Sequence, residues 1–151
     1  MIVGLFFHIL AAVIWVGGMF FAYQILRPAA GPLEPAQRLA LWRRVFERFF
    51  PAVWGAIVVL LASGYGMVFA GFGGFAHLPL YIDLMQGIGI VMMLIFAHLY
   101  FAPWKRLRRA LDAGDLPGAQ RQLDQIRGIV GFNLLLGLAV VVIGASGRYW
   151  G

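Results

Sequence analysis

Residues 1–26 read MIVGLFFHILAAVIWVGGMFFAYQIL, without one Asp, Glu, Lys or Arg. About 20 apolar residues in a helix cross the hydrocarbon core of a bilayer, so this run is long enough to span one. The competing reading is a secretory leader. It is disfavoured because no basic segment precedes the run and the apolar stretch is too long. The run is therefore read as a first spanning helix over about residues 2–26.

Three more uncharged runs follow, at residues 49–82, 84–104 and 128–147. They place further spans at about 50–70, 80–102 and 129–146. Composition agrees: 62% of the 151 residues are hydrophobic and 12% are charged, against about 45–50% and about 25% in soluble domains. Eighteen charged side chains cannot cover the surface of a soluble domain this size. A soluble enzyme, a nucleic-acid-binding module and a disordered chain are thereby excluded. A transmembrane barrel is excluded because its strands would alternate polar and apolar residues. The expected fold is an all-α integral membrane protein, a four-transmembrane-helix bundle filling residues 1–151 as a single domain.

The net charge of +6 would suggest nucleic acid in a soluble protein. Here its placement gives orientation instead. Eleven of the twelve basic residues fall in two connecting segments, Arg27 to Arg48 and Lys105 to Arg127, while residues 72–80 contain none. Basic loops stay cytoplasmic, so both chain ends are expected to face the periplasm of a bacterial inner membrane. Residues 36–50, AQRLALWRRVFERFF, form an amphipathic cytosolic stretch with Leu39, Trp42, Val45 and Phe46 at helical spacing. It is expected to lie on the membrane surface and run into the second span, with Pro51 in that span's first turn. Asp115 or Leu116 should cap the last helix, with Pro117 in its first turn.

Polar side chains in hydrocarbon are expensive and are functional candidates by default. The candidates are His8, Gln24, Asp83, Gln86, His98 and Asn133. His8 shares a helix face with Ala11, Ala12, Trp15, Gly18 and Ala22. That face suits close helix packing or a flat cofactor with His8 as iron ligand. His98 lies late in the third span, where it is either a second ligand or hydrogen-bonded to a neighbouring helix. His77 lies in the outer loop, where a solvated side chain is the simpler reading. Asn133 should bond across helices. Met67 and Met85 fall near the outer face with His77 and His8, and thioethers suit Cu(I). The chain has no cysteine, hence no thiolate site.

Several short patterns carry a resemblance. His8, Trp15 and Gly18 form His-x6-Trp-x2-Gly, a late histidine precedes a basic stretch at HLYFAPWKRL, and RPAA, RFFPAVW and GRYW punctuate the span ends. Over nearly its whole length the chain resembles the small four-helix CopD-like and HemJ-like bacterial membrane proteins. The HemJ-like side of that resemblance implies haem b and protoporphyrinogen oxidase activity, with His8 and His98 as the family's histidines. The CopD-like side implies copper handling. The chain departs from the HemJ-like pattern. It reads DLMQG at 83–87 where that pattern has a lysine, and lacks the Glu and Pro after Arg127 and Asn133. Those gaps count against the oxidase activity more than against porphyrin binding.

Helix arithmetic complicates a shared iron. His8 lies nineteen residues before Arg27, and His98 seven before Lys105. At about 1.5 Å per residue their depths differ by roughly 18 Å, more than two axial ligands of one haem can span. His8 and His77 are better matched.

The expected function is therefore a haem b-binding membrane redox protein, an oxidoreductase or cytochrome whose catalytic residues are unassigned. Its axial candidates are His8, His98 and His77, and Arg106, Arg109 and Arg127 are candidate propionate partners. The partners would be the lipid bilayer, a quinone, a porphyrinogen or another membrane redox protein, and the glycine-rich faces allow a homodimer. The alternative is a CopD-like copper homeostasis or transport protein, with an outer site built from His8, His77, Met67 and Met85. A non-catalytic assembly subunit is the third reading.

Overall fold

The computed structural model describes residues 1–150 and is helical throughout. Among these residues, four helical runs are long and apolar enough to cross a membrane: Ile2–Ala30, Pro35–Phe72, Leu80–Asp112 and Leu116–Tyr149. The first contains α1 (Ile2–Phe20), a π-helical segment (Phe21–Leu26) and the short α2 (Arg27–Ala30). The second is α3 (Pro35–Phe72) alone. The third is α4 (Leu80–Phe101) followed by α5 (Pro103–Asp112), and the fourth is α6 (Leu116–Ser146) closed by a 3₁₀ turn at Gly147–Tyr149. The chain is a four-helix, multi-pass membrane bundle.

The helices break where backbone chemistry demands it. Gly73 ends α3 at φ 69°, a left-handed conformation that glycine adopts without a Cβ clash. Ala102, the residue before Pro103, leaves the helical region and separates α4 from α5, as the proline ring disfavours helical geometry just before it. Asp115 caps α6 by accepting a 3.0 Å hydrogen bond from the Gly118 amide, with Pro117 in the first turn as the sequence predicts.

The amphipathic stretch differs from expectation. Residues 36–50 do not form a separate surface helix. They are the first part of α3, which runs 38 residues through Pro51, or about 57 Å at 1.5 Å per residue. Their apolar face is covered by protein: Leu39, Trp42 and Phe46 are buried in the same cluster as Leu107 of α5 and Leu123 of α6. Pro51 is accordingly inside the helix, not in its first turn. Arg43 ties this part of α3 to α5, bonding Glu47 at 3.0 Å and Asp112 at 2.7 Å.

Two modes of packing hold the bundle. α1 lies close against α3, and α4 against α6, through small residues that let the backbones approach. A Cβ built on Gly137 of α6 would lie 2.9 Å from Val16 Cγ2 and 3.2 Å from Met92 Cε. Between α3 and α4 the contact is aromatic. Phe46, Phe50 and Trp54 of α3 recur every fourth residue, as do Phe96, Tyr100 and Trp104 of α4 and α5. Their rings meet edge to face, with Phe46–Trp104 at 5.7 Å, Phe50–Trp104 at 5.3 Å and Trp54–Phe96 at 5.1 Å. Such pairs add about 0.5–1.5 kcal/mol each beyond their area. Asn133 Nδ2 donates to the Met92 carbonyl at 3.3 Å, the cross-helix bond its position in α6 predicts.

Candidate functional site

His8 is half-buried on α1, facing α3. Its Nδ1 lies 3.0 Å from Ser63 Oγ. The same Ser63 hydroxyl lies 2.6 Å from the Val59 carbonyl. A carbonyl can only accept, so the single hydroxyl proton goes to Val59. Toward His8 the oxygen is then an acceptor, and Nδ1 must carry the ring proton. In the neutral imidazole this leaves the Nε2 lone pair free. A histidine whose second nitrogen donates to a fixed oxygen is the arrangement found behind metal-ligating imidazoles.

The neighbouring turns of the seam carry thioethers. Ser63 and Met67 are one turn apart on α3, and His8 and Gly4 one turn apart on α1. A Cβ on Gly4 would lie 3.1 Å from Met67 Cγ and 3.6 Å from its sulfur, and one on Gly64 would lie 3.2 Å from His8 Cε1. A turn further on, Gly71 faces the Met1 sulfur, 2.6 Å from such a Cβ. Glycine thus opposes each donor in turn: Gly64 opposes His8, Gly4 opposes Met67, and Gly71 opposes Met1. One imidazole and two sulfurs line the same antiparallel seam. Among the described residues no group of three His, Cys, Asp or Glu side chains converges. The donors spaced along this seam are the soft and intermediate types that suit Cu(I).

The remaining candidates are distributed elsewhere. His77 is exposed on the loop after α3, beyond the same end of that helix as Met67. Met85 lies in the other helix pair, where a Cβ on Gly144 of α6 would be 3.3 Å from its sulfur. His98 is exposed on the outside of α4, and none of its side-chain atoms is hydrogen-bonded among the described residues. The small face of α1 is filled by protein: Gly18 abuts the Phe49 ring, and Trp15 meets Phe96 edge to face at 6.2 Å. The haem b expectation gains no support from this geometry. Arg106 and Arg109 line a shallow groove with Asp115, Arg121 and Gln122, whereas Arg127 lines a different one with Arg27 and Arg38.

Ser63 is the residue that sequence reasoning missed. In a helix rich in small residues a serine reads as packing, and only its hydroxyl four residues before Met67 could have marked it. Gly4 and Gly64 were equally silent, since a glycine's partner is set by the facing helix.

No curated protein and no solved structure matches the chain. The family model for copper resistance protein D matches residues 43–146, more than half of the chain. That stretch takes in most of α3 and all of α4, α5 and α6, including Ser63, Met67 and His77. The CopD side of the resemblance is therefore established, and the chain belongs to the copper resistance protein D family.

Proposed function

We propose that this protein handles copper in the membrane, taking up cuprous ion at the end of the bundle opposite its two basic segments. Copper is the substrate in this reading. His8 Nε2 and the Met67 sulfur are the proposed first ligands, the Met1 sulfur is a further donor along the seam, and exposed His77 is the first contact for arriving ion. The single observation that carries the reading is the bond pattern at Ser63, which holds the His8 ring with one nitrogen free, with the Met67 thioether one helical turn along the same seam. Family membership supports the choice of metal.

Orientation belongs to the same proposal. The basic segments lie at the opposite end of the bundle from His8, and the positive-inside rule supports a cytoplasmic position for them. The copper end then faces the periplasm of a bacterial inner membrane.

The test is to load the purified protein with Cu(I) under reducing conditions, remove unbound metal and measure copper per chain. About one bound copper is expected, with at least a tenfold loss of affinity in His8→Ala. A protein that retains no copper refutes the reading. A Soret band in the same preparation, abolished by His8→Ala, would instead assign that histidine to haem.

A further inference from the structure

At the arginine-rich end, three guanidinium groups converge from three parts of the chain. Arg27 follows the π-helical segment, Arg38 is in the first turn of α3, and Arg127 is on α6. Together with Tyr23 and Gln120 they line a groove of about 430 Å³. Arg127 is close enough to the other two to be repelled by both.

Little on the protein offsets that charge. Arg38 is held by neutral acceptors, the carbonyls of Gly31 and Leu33 and the side-chain oxygen of Gln120, each at 3.2 Å. Among the described residues neither Arg27 nor Arg38 has a carboxylate within ion-pair distance. Arg127 has one, Asp124 at 3.4 Å, but that side chain is 61% exposed. The Arg127 side chain is only 15% exposed and packs its cation over Trp42 at 5.3 Å. The Nε atoms of both Arg38 and Arg127 are buried without a partner. Buried donors without partners are costly, and like charges held together add to that cost unless an anion bridges them.

The backbone beside the groove is also irregular. Residues Phe21–Leu26 form a π-helix, a geometry that is rare and concentrates at functional sites. Tyr23 lies in that segment and carries Arg27 over its ring at 4.9 Å. Its ring rests directly on Gly131 of α6, where a Cβ would come within 2.6 Å. The groove lies where the uncharged run of residues 1–26 ends at Arg27, and a span of that length would meet the headgroups there.

We propose that the Arg27–Arg38–Arg127 groove is a phosphate-binding site, filled by free phosphate or by the headgroup phosphodiester of an anionic lipid. Arginine offers the planar, multi-donor fork that matches a phosphate's oxygens. Basic pockets between spanning helices recognise anionic headgroups by the same chemistry. The site is independent of the copper reading, since it shares no residue with the His8 seam.

The test uses the full chain, delipidated in detergent. Native mass spectrometry compares retention of phosphatidylglycerol with phosphatidylcholine, and calorimetry compares inorganic phosphate with chloride at equal ionic strength. One phosphate-bearing ligand per chain is expected. Preference for phosphatidylglycerol assigns a lipid, and binding of inorganic phosphate alone assigns a free anion. The double variant Arg38→Gln/Arg127→Gln should bind about tenfold more weakly or worse. Arg106→Gln/Arg109→Gln, which removes the same charge from the other groove, should bind like the parent. Exposed Arg27→Gln should weaken binding severalfold and carries the test if the double variant does not fold. The proposal is overturned if neither probe is preferred over its control. It is equally overturned if Arg27→Gln and any folded double variant bind unchanged, or if the Arg106/Arg109 control loses as much.

Discussion

The Ser63 hydroxyl fixes, from the facing helix, which nitrogen of the neutral His8 ring carries the proton. It donates to Val59 at 2.6 Å and therefore accepts from His8 Nδ1 at 3.0 Å. If that relationship prepares Nε2 for a metal, Ser63→Ala should lower Cu(I) affinity about 10–100-fold, as loss of an outer hydrogen-bond partner does at metal-bound histidines. Competition against a chromophoric Cu(I) chelator measures this. An alanine variant with the affinity of the parent would separate Ser63 from the site.

Met67 offers a different handle, because leucine nearly matches its volume without supplying a sulfur. Met67→Leu should cost less than about 1.5 kcal/mol of stability, yet weaken Cu(I) binding at least tenfold. Thermal unfolding in detergent and the same chelator competition give the two numbers. Equal loss in both would mark Met67 as a packing residue only.

Orientation can be read with single cysteines, since the chain has none of its own. Ala76→Cys sits beside His77 and Ala113→Cys sits in the turn after α5, both at exposed positions. A membrane-impermeant maleimide added to spheroplasts should label Ala76→Cys directly and Ala113→Cys only after permeabilisation. The reverse pattern would invert the proposed topology.

Close packing makes one glycine far less replaceable than another. Gly137→Val forces a side chain against Val16 and Met92 and should cost about 1–3 kcal/mol by overpacking. Gly128→Ala, on the same helix with open space around it, should be neutral or gain up to about 1 kcal/mol from helix propensity. Unfolding of both variants in one detergent decides the comparison.

The sequence made the bundle legible because charge is so unevenly placed. Four uncharged runs ended at Arg27, Arg48, Asp83, Lys105, Arg127 and Arg148 marked the spans directly. The join between residues 36–50 and the second span was harder to read, because Pro51 signals a helix start as readily as it sits inside one. Burial of Leu39 and Trp42 against α5 and α6 kept the helix going, and amphipathic spacing cannot tell a protein-covered face from a membrane-covered one. His8 stood out as an imidazole in an apolar run. Its partner did not, because Ser63 is 55 residues away and only the antiparallel seam of α1 and α3 brings it near. The π-helical segment leaves no trace in FAYQIL that distinguishes it from an ordinary turn of helix.

In the proposed site the free nitrogen of His8 and the sulfur of Met67 bind the same copper ion. X-ray absorption at the copper edge of the Cu(I)-loaded protein reads both ligands at once. An imidazole shell together with a sulfur shell is expected, the first lost in His8→Ala and the second reduced in Met67→Leu. A spectrum without sulfur, or one that neither substitution changes, would rule out shared coordination by His8 and Met67.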